Sequence, residues 1–88
     1  MDEFKIGSYA VATAGHDFGK CYVIFFTDKE YVYLVDGRLR TIDHPKKKKM
    51  KHVKVLAGYD PVLADKVCKK SVRNEEIKRA IKLLKYQI

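Results

Sequence analysis

The chain has 88 residues, 47% of them hydrophobic, and carries 19 Lys or Arg against 11 Asp or Glu, for a formal net charge of +8. A chain this short forms one small unit with little room for a large enzyme cleft. Its apolar content excludes a disordered polyelectrolyte. No apolar run approaches the roughly 18 residues of a membrane span, so we expect a cytoplasmic protein.

Five segments have the patterns of short β-strands. In the first segment, small residues alternate with larger ones and so share one face of the strand. The second segment has β-branched or aromatic residues on both faces, which indicates that both sides of this strand are covered. The dipeptide Asp36-Gly37 predicts a tight hairpin between the third and fourth strands. Five short strands with turn residues between them predict a small barrel. The predicted strands are residues 7–14, 20–27, 31–35, 38–42 and 52–56.

Two helices are predicted after the strands. Asp60 before Pro61 is a typical helix start, because aspartate caps the first amides and proline is preset for the first turn. This helix should run to about Lys69. Ser71 or Asn74 can cap the second helix. Its apolar stripe, which we expect to pack on the barrel, consists of Ile77, Ala80, Ile81 and Leu84.

These patterns divide the chain into a barrel of residues 1–57 and a C-terminal helical extension of residues 58–88 packed on it. Cys21 and Cys68 are far apart and lack metal-ligand spacing, which predicts buried free thiols. We expect a monomer without a cofactor.

Most of the net positive charge lies in residues 38–54, which contain eight Lys or Arg and one acid. A polyanion bound there would release condensed counterions, which is the main source of nonspecific affinity for RNA. Solvation alone could also explain the lysine run, and pairing with Asp36 or Asp43 could explain the arginines. The candidate phosphate contacts in this segment are Arg38, Arg40, Lys46, Lys47, Lys48, Lys49, Lys51, His52 and Lys54.

Residues 7–24 (GSYAVATAGHDFGKCYVI) resemble a KOW motif, the strand-loop-strand unit of ribosomal and transcription-elongation proteins. Residues 35–40 (VDGRLR) and 45–53 (PKKKKMKHV) are similar to the small bacterial KOW-domain RNA-binding proteins, themselves similar to archaeal and eukaryotic-type large-subunit ribosomal KOW proteins. The resemblance implies an SH3-like five-stranded barrel and binding to RNA or the ribosome. It also implies that the loop around Gly15 approaches RNA, which adds His16 and Lys20 as candidate contacts.

Three glycines are predicted to serve structural turns: Gly15, Gly19 and Gly37. Asp17 would oppose a phosphate, so we expect it to cap the turn instead. Most aromatic residues must lie in the core of so small a barrel, although Tyr31 or Tyr33 could stack on an RNA base.

Catalysis is not expected. Residues 15–21 (GHDFGKC) superficially resemble a phosphate-binding loop, but three residues rather than four separate the glycines, and a strand rather than a helix is predicted to follow. His16 and Cys21 could form a nucleophilic pair, but no oxyanion site accompanies them. We therefore predict an RNA-binding protein associated with large-subunit rRNA and translation.

The alternative function is a protein-interaction adaptor that uses the barrel or the helix around Ile77. A nuclear address at residues 45–51 is less attractive, because the run lies between two predicted strands.

Overall fold

A computed structural model describes residues 4–86 of the chain, and the side chains as far as Leu84. The described chain contains one five-stranded antiparallel sheet followed by two helices, so the predicted mainly β architecture with C-terminal helices is confirmed. The elements are β1 (Tyr9–Ala12), β2 (Cys21–Asp28), β3 (Tyr31–Val35), β4 (Lys46–Lys49), a 3-10 turn (Met50–His52), β5 (Val53–Val55), α1 (Pro61–Cys68) and α2 (Asn74–Tyr86).

The strands follow one another in the order β4-β3-β2-β1-β5, so β4 and β5 are the two edges and the sheet is not closed by hydrogen bonds. The three residues of the 3-10 turn nevertheless join these two edge strands directly. The amide of Thr13, just after β1, donates to the carbonyl of His52 in this turn at 2.8 Å. The sheet therefore curls strongly, as twisted sheets of this size tend to do.

The predicted fourth strand was wrong. Residues 38–42 lie in a loop, and β4 is formed by the lysine run itself, which pairs with β3 from Tyr31↔Lys49 to Leu34↔Lys46. The Asp36 carboxylate accepts hydrogen bonds from the amides of Arg38 and Arg40, both at 2.9 Å, which holds this segment in a turn instead of a ladder. Lysine is rare in central strands but common on exposed edges, where its charge prevents pairing with other chains.

The sheet buries apolar side chains on both faces. The inner, concave face packs on itself, and the outer face packs against the helices, so β2 is covered on both sides as predicted. The small residues of β1 lie on the inner face, where Ala10 and Ala12 are fully buried. The inner cluster consists of Ala10, Ala12, Tyr22, Ile24, Val32, Leu34 and Val53. The outer cluster consists of Tyr9, Val23, Val35, Leu63, Val67, Val72, Ile77, Ile81 and Leu84.

Helix α1 begins as predicted, because the Asp60 carboxylate accepts hydrogen bonds from the amides of Val62 and Leu63, at 3.0 and 3.4 Å. Pro61 occupies the first helical turn, and the helix ends at Cys68. Cys68 is exposed, contrary to expectation, because α1 turns Leu63 and Val67 toward the sheet and Cys68 falls beside that stripe. Cys21 is partly buried against the outer cluster, and both thiols are free.

The predicted caps of α2 were wrong. Ser71 donates its hydroxyl to the carbonyl of Lys66 at 3.4 Å, and the Asn74 side chain accepts from the amide of Ile42 at 2.9 Å, which ties the loop after β3 to α2. Instead, the Glu76 carboxylate accepts a hydrogen bond from the amide of Arg73 at 2.9 Å, which is one half of a capping box.

The predicted apolar stripe of α2 is confirmed. Ile77, Ile81 and Leu84 are buried in the outer cluster, and Ala80 packs against it. Between residues 4 and 86, neither helix is long and apolar enough to cross a membrane.

Candidate nucleic-acid interface

Strand β4 presents its four lysines alternately to the two faces of the sheet, because successive side chains of a strand point in opposite directions. Lys46 lies opposite Leu34 and Lys48 opposite Val32, so these two lysines share the inner face with buried residues. Accordingly, both are partly buried, whereas Lys47 and Lys49 are exposed. The run is thus two chemically different pairs of lysines.

The inner pair faces Asp17, in the loop between β1 and β2, whose single carboxylate offsets one of the two positive charges. The Lys48 ammonium donates to the Asp17 carboxylate at 2.9 Å, and that of Lys46 lies 4.0 Å from it. The Tyr22 hydroxyl donates to the same carboxylate at 3.3 Å. The side chains of Asp17 and Lys48 are only 9% and 12% exposed, so this contact is an interior ion pair that fastens the loop to β4.

The pKa values of this cluster reflect its burial and charge. Burial acts to raise the pKa of Asp17, but the hydrogen bond from Lys48 and the charges of Lys48 and Lys46 outweigh it, and the pKa lies below its ordinary value of 3.8. Burial, together with the charge of Asp17 and the hydrogen bond to it, raises the pKa of Tyr22 from 10.0 to about 12. The carboxylate and the protonated phenol therefore coexist across the physiological range.

The outer pair of lysines faces solvent beside aromatic rings. Lys47 lies opposite Tyr33, and its ammonium is 4.3 Å from the ring centroid of Tyr31, which is a cation–π contact. Lys49 lies opposite Tyr31. The 3-10 turn and β5, which is the other edge of the sheet, add two more exposed lysines. We call Lys47, Lys49, Lys51 and Lys54, all exposed, the lysine edge.

The loop between β3 and β4 carries the two candidate arginines. Arg38 is exposed and Arg40 is partly buried near Tyr22. The alternative of an ion pair with Asp36 is not what the structure has, because the Asp36 carboxylate accepts hydrogen bonds from the backbone amides of the two arginines. Leu39 between them is 80% exposed at the surface. The two arginines therefore belong to a loop and not to a strand face.

The loop between β1 and β2 holds the remaining candidates. His16 and Lys20 are exposed, and Phe18 between them is 71% exposed. Gly15 has a φ of +87°, a backbone conformation that suits glycine, and a Cβ there would lie 3.3 Å from the Lys48 ammonium. The turn roles predicted for Gly19 and Gly37 also agree with positive φ angles, of +86° and +79°. Asp17 thus brings this loop, with His16, next to β4.

His52 is partly buried in the 3-10 turn, where its carbonyl accepts the amide of Thr13. The predicted site residues therefore lie in the loop between β1 and β2, in the loop between β3 and β4, and along the stretch from β4 to β5, in which Lys46 and Lys48 are turned to the inner face and face Asp17. The pairing of Asp17 with the inner lysines was not predicted. The sequence carries no signal for it, because the register that places Lys46 and Lys48 on the inner face is seen only in the structure.

A groove of about 370 Å³ lies on the opposite, helical part of the molecule, between α1 and α2. Val62 and Leu83 border it and are 68% and 53% exposed. Lys66 and Glu76 form an ion pair across it. The hydrogen bond from Lys66, with that from the Arg73 amide, keeps the pKa of Glu76 below its ordinary value.

Comparison of the chain with protein-family models finds no match, and neither does comparison with curated proteins.

Proposed function

We propose that the chain is a KOW-type RNA-binding domain with an SH3-like barrel, which associates with large-subunit rRNA through phosphate contacts from the lysine edge. The observation that carries the proposal is the exposure of Lys47, Lys49, Lys51 and Lys54 on one continuous stretch of chain. Within residues 4–84, no carboxylate lies within ion-pair distance of these four ammonium groups. An anionic partner would relieve their mutual repulsion.

Three features support the barrel. The sheet is strongly curled, a three-residue turn joins its two edge strands, and the Asp17 ion pair links the β1–β2 loop to β4. Arg38 and the exposed His16 and Lys20 extend the basic surface along the loops. Contacts of this kind position RNA by charge and shape and carry no direct base specificity.

Co-sedimentation with ribosomes tests the proposal. Tagged protein in native lysate is run on sucrose gradients at low and high salt, with and without RNase. We expect migration with the large subunit at low salt and release at high salt. The variant Lys47→Gln with Lys49→Gln should be released at lower salt than the wild type, because it lacks two phosphate contacts.

The matched control is Lys78→Gln with Lys82→Gln, which removes the same charge from exposed positions of α2. This control should sediment like the wild type. Protein that stays at the top of the gradient under every condition would contradict ribosome association.

A protein-interaction adaptor is the second candidate. The groove bordered by exposed Val62 and Leu83 favours it, whereas Ile77 itself is buried in the outer cluster. A partner that remains bound after RNase treatment, and is lost on Val62→Ser with Leu83→Ser, would favour the adaptor.

A further inference from the structure

Part of the outer face of the sheet is not covered by the helices, and it carries three aromatic rings. Phe26 of β2 lies opposite Tyr33 of β3, with ring centroids 5.9 Å apart and ring planes tilted by 46°. Tyr31, two residues before Tyr33, shares the face. Phe26 is 48% exposed and the two tyrosines are partly buried. We call Phe26, Tyr33 and Tyr31 the aromatic row.

Lysines stand over this row from two different elements. The Lys47 ammonium of β4 is 4.3 Å from the Tyr31 ring centroid. The Lys70 ammonium, from the turn after α1, is 5.3 Å from that of Phe26 and 4.2 Å from that of Phe25. Asp28, opposite Tyr31, and Glu30 in the turn are two exposed acids at the hairpin end of the row, with exposed Lys29 between them. The ammonium groups of Lys47 and Lys70 therefore make the row attractive to an anion, most of all at its Phe26 end, which is farther from Asp28.

The spacing of the rings indicates which anion fits. The Phe26 and Tyr33 rings are 5.9 Å apart, and residues two apart on a strand are separated by about 7 Å. Stacked bases of a B-form duplex rise only about 3.4 Å along each strand. Paired bases are also out of reach, because the major groove of duplex RNA is deep and narrow. Rings at this spacing suit bases that are separated from one another.

We propose that the aromatic row binds unpaired bases of single-stranded RNA, while Lys47 and Lys70 contact the flanking phosphates. This inference rests on the proposed RNA-binding function and adds to it the class of RNA. Proteins that bind single strands combine the same two elements, a basic surface along the backbone and aromatic rings on which bases stack. An acidic protein segment would form ion pairs with the lysines, but its carboxylates would not stack on the aromatic rings.

Binding of short labelled RNAs tests the inference. The probes are an oligouridine, an abasic ribose-phosphate strand of the same length, and a duplex of the same length. The variant Phe26→Leu with Tyr33→Leu keeps apolar side chains but removes two rings. We expect it to bind oligouridine at least about 10-fold more weakly, since stacking contributes about 1–3 kcal/mol per base. Its affinity for the abasic strand should not change.

The ring-retaining variant Phe26→Tyr with Tyr33→Phe is the matched control and should bind oligouridine like the wild type. Circular dichroism checks the fold of each variant. If the double leucine variant unfolds, NMR of the wild-type protein tests the inference instead, through the signals of its tyrosine rings. The Tyr33 ring signals should shift with oligouridine and stay in place with the abasic strand, whereas those of Tyr31, which contacts Lys47, respond to phosphate as well.

Two results would overturn the inference and leave the phosphate contacts standing. The double leucine variant could lose the same affinity for oligouridine and for the abasic strand, or it could bind oligouridine as tightly as the wild type. If the wild-type protein binds none of the three probes, that result would instead contradict the proposed function itself.

Discussion

The ion pair between Asp17 and Lys48 should be a major contribution to stability. Asp17→Asn leaves the Lys48 ammonium, 12% exposed, without its counter-charge, whereas the amide can still accept the Tyr22 hydroxyl. A hydrogen bond to a charged group contributes about 1.5–3 kcal/mol, and we expect the free energy of unfolding to fall by that amount at pH 7.

A double-mutant cycle measures the pair directly. Lys48→Met keeps the apolar stem of the side chain and removes the charge, and urea unfolding followed by circular dichroism gives the four free energies. We expect a coupling energy of at least about 1 kcal/mol between Asp17→Asn and Lys48→Met. Strictly additive effects would refute the ion pair as a source of stability.

The pH dependence provides a second check on Asp17. Its pKa in the folded state lies below the ordinary value of 3.8, so its stabilising contribution is present above that value and is lost as the pH falls through the folded-state pKa. The stability gap between wild type and Asp17→Asn should therefore be full at pH 7 and narrow below pH 3.8. A gap that is constant across acid pH would contradict this assignment.

Three further predictions follow from single positions. Gly37→Ala should lower the free energy of unfolding by more than the 1–2 kcal/mol expected for a left-handed residue, because its Cβ would meet the backbone at the start of α2. A Cβ at position 19 would have no atom within 4 Å, so Gly19→Ala should show only that conformational cost in the same urea assay. Ultraviolet titration should show Tyr22 ionising near pH 12, and its effect on stability should be fully present below pH 10.0 and lost as the pH rises from 10.0 to about 12. A Tyr22→Phe difference spectrum with ordinary ionisation would contradict this. Arg73→Ser should complete the capping box with Glu76 and raise stability by about 0.5–1 kcal/mol in thermal unfolding, and an unchanged melting temperature would argue against it.

Local sequence signals predicted the elements that depend on local chemistry. The Asp60-Pro61 start of α1 follows from side-chain capping and proline geometry, and the structure has it there. The stripe of α2 at Ile77 and Ile81 follows from helical periodicity alone. The coverage of both faces of β2 follows from its lack of alternation.

The main errors lie between Asp36 and Lys49, where one side chain and a long-range strand pairing override the local pattern. Asp36-Gly37 has the composition of a hairpin turn, but Asp36 uses its carboxylate to hold a wider loop, which moves the returning strand to the lysine run. Lysine has a low strand propensity, so the run did not indicate a strand until its pairing with β3 was known. Asp17 and Lys48 are 31 residues apart, and only the curl of the sheet brings them together.

The candidate site changes for the same reason. From the sequence, Lys46 to Lys49 are predicted to be four equivalent phosphate contacts. In the structure, strand β4 separates them into an inner pair that faces Asp17 and an outer pair exposed to solvent. Strand geometry makes that division, and composition cannot.

The salt dependence of RNA binding tests this division most directly. Fluorescence anisotropy with a labelled single-stranded RNA gives the slope of log K against log salt for two charge-matched variants. One is Lys47→Gln with Lys49→Gln, and the other is Lys46→Gln with Lys48→Gln, each measured where the protein is fully folded. Loss of two phosphate contacts should flatten the slope by about 1.4 units for the outer pair. The inner pair should leave it almost unchanged, and equal flattening by both variants, or none by the outer pair, would contradict RNA binding through the lysine edge.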